Sequence, residues 1–257
     1  MLNRVFCALA LGGGLLAVQP AQAQEGGSVS GNVALATDYA FRGLSQTGGN
    51  PAVQGGFDYT NGHFYAGTWA SNIDFDELGA GSGIELDLYG GWRPHLGPVA
   101  LDLGVIGYFY PGVSDIQAGG GVEGELDYGE VYAKASVTPV EHLTLGGALY
   151  YSPEFTGETG DAVYVEGNGS YAFSDAFSVS GALGYQTIDD VSGVFPGDFS
   201  DEYATWNLGA TYAIHGFAVD LRYVGTDIDS SDDLITQAFT TIDRSDDRVI
   251  LSIKRSL

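Results

Sequence analysis

The feature that most constrains this chain is a two-residue alternation of apolar and polar side chains, repeated in about twelve segments. Alternation at that period marks a strand with one face in an apolar medium and the other in a polar one. Val29, Gly31, Val33, Leu35, Tyr39 and Phe41 share one face, opposite Asn32, Ala34, Asp38 and Arg42, so the first strand reads as extending to Arg42. Further on, Ile84, Leu86, Leu88 and Trp92 oppose Glu85, Asp87, Tyr89 and Arg93. Val131, Ala133, Ala135 and Val137 oppose Glu130, Tyr132, Lys134 and Ser136. Near the end, Phe217, Val219, Leu221 and Tyr223 oppose Asp220 and Arg222.

The connections alternate too. Short ones fall near Asn61-Gly62, His95-Leu96-Gly97, Val140-Glu141-His142, Ser174-Asp175 and His215-Gly216. Long ones fall near 43–51, 74–82, 111–127, 152–161, 188–202 and 226–247. Five short turns and six long loops join twelve strands and bring the first and last strands' free ends to the short-turn side. Transmembrane barrels have this pattern, with short periplasmic turns and long outer loops. In lipid, an open sheet edge would leave backbone groups unpaired, so the sheet must close. The expected fold is therefore all-β: a transmembrane antiparallel up-and-down β-barrel of about twelve strands.

The aromatic residues sort to the strand ends, as lipid–water interfaces favour. Tyr59, Trp92, Phe173, Phe177, Tyr212 and Phe217 lie near short turns, and Tyr39, Phe41, Phe109, Tyr151, Tyr185 and Tyr223 near long loops. A soluble sandwich would instead bury aromatics in mid-strand.

The first 23 residues read as a removable export signal. Arg4 supplies the positive start, Val5 to Val18 the apolar stretch, and Ala21-Gln22-Ala23 the cleavage site. Residues 24–257 then form the barrel, expected in the cell outer membrane. The single cysteine, Cys7, lies in the leader, which leaves no disulfide, thiolate metal site or cysteine nucleophile in the remainder. With 33 acidic residues against 9 basic ones, nucleic acid is excluded as a partner.

Most acidic residues fall in the long loops, where Arg244 is the only cation, so the outer mouth reads as anionic. Such a mouth concentrates cations over about a Debye length, roughly 8–10 Å at 0.1–0.15 M salt, which predicts a weak cation preference. Acidic loops equally suit solubility, or divalent ions that bridge lipopolysaccharide. Alternation turns eight acids inward, Asp38, Asp58, Glu85, Asp87, Asp102, Glu130, Glu166 and Asp220, with six bases, Arg42, Arg93, Lys134, Arg222, Arg248 and Lys254. From these the candidate pore-lining residues are Arg42, Glu85, Asp87, Arg93, Asp102, Glu130, Lys134, Glu166, Asp220 and Arg222. They fit either a selective constriction or a salt-bridge network that closes the lumen.

No catalytic, cofactor or metal site is read from the sequence. His63, His95, His142 and His215 each fall in or beside a short turn, on different hairpins, without metal-ligand spacing. No histidine sits mid-strand on an apolar face, where a serine–histidine pair of a barrel phospholipase would need one. Asp189-Asp190 and Asp232-Asp233 read as solvated loop charge.

One stretch carries a family resemblance. Asp38-Tyr39, Phe41-Arg42-Gly43, Ser45-Gln46, Asn50-Pro51-Ala52, Gly55-Gly56-Phe57-Asp58-Tyr59, Tyr65-Ala66-Gly67 and Trp69 fall within residues 31–74. This combination resembles the TorF-type porin family of Gram-negative bacteria, otherwise a domain of unknown function; the rest of the chain matches only in style. The resemblance implies an outer-membrane β-barrel with a porin role and supplies no substrate. The chain departs from that family at Leu257, where Phe is usual, although Leu257 is in phase with Val249, Leu251 and Ile253.

The leading expectation is a passive channel for small hydrophilic solutes, without enzymatic activity. The alternative is a structural or adhesive barrel with a plugged lumen. Expected partners are outer-membrane lipid and lipopolysaccharide, the barrel assembly machinery, and small hydrophilic solutes or cations.

Overall fold

The computed structural model describes residues 27–75, 83–112, 125–189, 201–228 and 244–257. The expected leader, with Cys7, and much of four long loops lie outside these residues. Twelve long strands are present: β1 Ser28–Ala36, β2 Ala52–Asn61, β3 Phe64–Asn72, β4 Ile84–Trp92, β5 Val99–Phe109, β6 Tyr128–Val140, β7 Leu143–Ser152, β8 Ala162–Ala172, β9 Phe177–Ile188, β10 Glu202–Ile214, β11 Phe217–Thr226 and β12 Arg248–Ser256. Each pairs antiparallel with its sequence neighbour, and β1 pairs with β12, Ala34 opposite Lys254 and Ala36 opposite Ser252. The sheet is a closed antiparallel barrel in which no described residue is helical.

The polarity is inverted relative to a soluble protein. Leu88, Val105, Leu149, Val165, Leu183, Leu208, Leu221 and Leu251 point outward and are exposed. Between them, Gln54, Ser71, Glu85, Asp102, Glu130, Glu166, Gln186, Asp220 and Ser252 point inward and are buried. Tyrosines and alanines fill the rest of the interior, among them Tyr65, Tyr132, Tyr150, Tyr164, Ala148 and Ala182.

The short turns are tight hairpins. Ile214 pairs with Phe217 across His215-Gly216, both at positive φ (50° and 83°), the geometry that matches strand twist. The first hairpin turns on Gly62-His63, because Asn61 still pairs with Phe64. All four histidines are exposed and lie in or beside these turns.

Two expectations are corrected here. The first strand does not extend to Arg42. It ends at Ala36, and the next residues fold inward as a small hairpin in which Ala40–Phe41 pairs with Leu44–Ser45. Tyr39 and Phe41 therefore leave the outer aromatic ring: Tyr39 is buried inside the barrel and Phe41 packs beside it. The other four residues of that ring, Phe109, Tyr151, Tyr185 and Tyr223, are exposed as expected, as are all six near the short turns. Arg244, expected as a cation of the outer mouth, is instead buried, donating from Nη1 to the Ser45 carbonyl (2.9 Å) and from Nη2 to the Asp74 carbonyl (2.6 Å).

The outward face predicts a depth-dependent penalty for charge. Leu183→Arg, in mid-strand, is expected to destabilise the barrel by about 2–4 kcal/mol, and Leu96→Arg, beside a short turn, by about 0–1 kcal/mol. Reversible urea unfolding in lipid measures the difference.

Candidate functional site: an inward hairpin and its polar cavity

The site is built around residues 37–50, between β1 and β2. Arg42 and Gly43 form the hairpin tip, with φ of 47° and 87°. A non-glycine residue at positive φ is strained and persists only where its surroundings fix it. Here they do. Arg42 Nη2 donates to both oxygens of Glu130 (2.8 Å each), and Nη1 donates to Gln186 Oε1 (2.8 Å). The guanidinium also stands over the rings of Tyr164 (4.5 Å), Phe41 (4.8 Å) and Tyr150 (5.1 Å). Gly43 is needed at the tip: a Cβ there would lie 2.3 Å from Thr226 Cγ2.

The hairpin's root is tied to the wall. Asp38 accepts hydrogen bonds from Ser45 and Thr47 (2.7 Å each) and from Arg248 Nη1 (2.7 Å). The Gln46 amide donates to the Tyr39 carbonyl, and the Asp74 amide to the Gln46 carbonyl. One side of the hairpin is glued by aromatic contact, with Tyr39 against Trp69 (5.3 Å) and Phe41 against Tyr108 (5.7 Å). That apolar cluster continues through Ile73, Phe75, Tyr110 and Leu126.

The opposite side of the hairpin faces a cavity of about 40 Å³. Its wall comes from β1, β2, β8, β10, β11 and β12, and includes Gln54, Tyr164, Thr205, Asn207, Asp220, Arg222 and Ser252. The hairpin is thus an off-centre obstruction, apolar where it touches one wall and polar where it leaves space at the other.

All ten candidate pore-lining residues turn toward the interior. Nine are buried and Arg93 is half-buried. They do not form one ring. Arg42 and Glu130 are one pair. Arg93 and Asp102 (3.1 Å) are another, joined by Tyr65, which donates to Asp102 and contacts the Tyr132 hydroxyl. Arg93 also stacks over Tyr65 at 3.7 Å. Lys134 stands over Tyr132 and Tyr150. Glu166 accepts from Tyr164 and Asn168. Asp220 and Arg222 form a third pair, and Arg222 also donates to Asn207 (2.6 Å) and Ser180 (2.9 Å). Glu85 accepts from Tyr39 (2.8 Å), and Asp87 keeps one buried oxygen, Oδ1, without a partner among the described residues.

Sequence reasoning passed over Asp38, Gln54, Gln186, Arg248 and Ser252 as site residues, although each sits on the inward face. The available signal was the Arg42-Gly43 dipeptide itself, a turn former inside an otherwise alternating run. Apolar Leu44 in a supposed water-facing loop was a second.

An apolar outside and an inside of paired charges define a membrane-spanning β-barrel of inverted polarity. Within that class the chain belongs to the family described as a bacterial protein of unknown function (Gcw_chp), whose model matches residues 20–257. No curated protein sequence matches the chain. Solved structures share its fold. The NanC porin is 9% identical with a TM-score of 0.54, covering 88% of this chain and 98% of its own. The KdgM porin is 10% identical, also with a TM-score of 0.54, covering 89% and 99%. An outer-membrane channel from Pseudomonas putida F1 is 12% identical with the same score, covering 90% and 94%. At such identities the likeness is one of fold.

The Arg42–Glu130 pair is fully enclosed, with side-chain exposures of 4% and 1%. Removing one partner strands the other charge, which costs about 3–5 kcal/mol, whereas removing both costs less. Arg42→Ala is therefore expected to lower the urea midpoint more than Arg42→Ala combined with Glu130→Ala. Equal or additive losses would contradict the pairing.

Proposed function

We propose that this protein is an outer-membrane channel of the porin type, related in role to the TorF-type porins it resembles, through which small hydrophilic solutes diffuse. The observation that carries the reading is the polar cavity beside the inward hairpin, inside a closed barrel whose outer face is apolar. A wall of hydroxyls, amides and paired charges replaces part of a solute's hydration, and the apolar exterior suits lipid. Barrels of similar fold named as porins and as an outer-membrane channel support the same role.

The constriction is narrow. The cavity, about 40 Å³, has room for only a few waters, so the channel passes small solutes only. The acidic residues of the long loops enrich cations at the entrance, so among ions cations enter in preference to anions. Lipopolysaccharide and the surrounding lipid contact the outward face, and the barrel assembly machinery inserts the chain. The protein carries out no chemistry on its solutes.

The second reading, a closed barrel serving as a structural or adhesive surface element, is favoured by the buried ion pairs that fill the interior. Planar-bilayer recording separates the two. The channel reading expects small stepwise conductance from the unmodified protein. It also expects steps several-fold larger from the Arg42→Ala, Glu130→Ala double variant, which removes the guanidinium without stranding a carboxylate. Silence from both proteins, with correct insertion shown by heat-dependent gel migration, favours the closed barrel.

A further inference from the structure

The charged groups that wall the cavity are all spoken for. Asp38 is paired with Arg248, Arg42 with Glu130, and Asp220 with Arg222. Arg222 uses Nε, Nη1 and Nη2 on Asp220, Asn207 and Ser180, and Asp220 Oδ2 takes a further bond from Thr211. Asp87, which keeps an unpaired oxygen, is not part of the cavity wall. An ion entering this cavity would give up hydration and find no unpaired charge to replace it.

Uncharged groups are in the opposite condition. Gln54 on β2 and Ser252 on β12 are 5% and 3% exposed, and both line the cavity. Neither side chain is bonded to a described residue, and neither is sealed off: both reach the cavity, where a solute can pair with them. They flank β1 at its two small inward residues: Gln54 lies opposite Ala34, and Ser252 opposite Ala36. The alanines leave open the space into which the amide and the hydroxyl project. Across it stand the hairpin tip and the ring of Tyr164.

We infer that this cavity is a solute site that takes uncharged, hydrogen-bonding molecules of a few heavy atoms, such as a short polyol or a small amide, and that Gln54 and Ser252 determine this preference. The inference rests on the channel reading and names its substrate class. The Gln54 amide offers two donors and an acceptor, and the Ser252 hydroxyl one donor and two acceptors, which match a polyol or an amide at either end. A channel can therefore admit cations to its mouth through acidic loops while its narrowest part favours neutral solutes.

The test is tracer efflux from liposomes holding the full-length mature barrel in 0.3 M KCl. Radiolabelled glycerol, lactate and ethanolamine serve as neutral, anionic and cationic solutes of similar size, with protein-free liposomes subtracted. Glycerol is expected to leave at least tenfold faster than either ion. Gln54→Leu and Ser252→Ala are each expected to slow glycerol several-fold relative to lactate and ethanolamine. Ions leaving as fast as glycerol, or a substitution that slows all three solutes equally, overturns the neutral-solute site and leaves the channel standing. No efflux of any solute, with no conductance, overturns the channel and this site together. Asp220→Asn provides an independent arm by leaving Arg222 without its carboxylate partner. It is expected to speed lactate relative to ethanolamine by several-fold, and an unchanged ratio counts against the charge-paired wall.

Discussion

Closure of the sheet is the constraint on which everything else in this structure depends. The two ends of the sheet meet where β4 pairs with β5, from Leu86 opposite Phe109 to Trp92 opposite Leu103. With that ladder in place, the sheet has no open edge left to satisfy. The chain can then expose Leu, Val and Phe along its outer face, because the backbone beneath them makes no demand on the surroundings. The inverted polarity follows from closure, and so does the interior problem: an inward face drawn from a period-two alternation is polar, and in a narrow barrel it is also buried.

The interior solves that problem by pairing. Four acid–base pairs and a set of tyrosine hydroxyls satisfy most of the inward charges, and cation–π contacts take Lys134 and part of Arg42 and Arg93. Twelve strands enclose more space than their own side chains fill, and residues 37–50 occupy the surplus. The hairpin is amphipathic in cross-section. Tyr39 and Phe41 adhere to Trp69 and Tyr108, and Arg42 and Asp38 sit toward the polar side. Its polar side is the one that faces the cavity.

Strand number, turn positions and the facing of each charged residue were legible because they depend only on local alternation. Glu85 and Asp87 point inward for the same reason that Leu86 and Leu88 point outward. The partners were not legible. Arg42 is separated from Glu130 by 88 residues and from Gln186 by 144, and strand alternation fixes a residue's face without fixing which residue lies across the lumen. The hairpin escaped for a subtler reason. Tyr39, Phe41 and Arg42 continue the alternation of β1 in phase, because the hairpin arms are themselves extended. A strand running on into a loop and a strand folding back into its own barrel have the same pattern up to Arg42-Gly43. Arg244 was misplaced because position in a long loop says nothing about burial, and here the loop's last residues, from Arg244 on, meet the hairpin at Ser45.

The seating of Arg42 also has a bearing on how the molecule is made. Its guanidinium is held at once by β6 and β9, strands that come within reach of one another's side chains only after the sheet has rolled. While the sheet is flat there is no position that satisfies both, and the strained backbone at the tip has nothing to hold it. The hairpin's final pose is thus a signal of completed curvature. A barrel left ajar between β4 and β5, or between β1 and β12, would lack the geometry to seat the side chain, and the segment would stay free until the cylinder was whole.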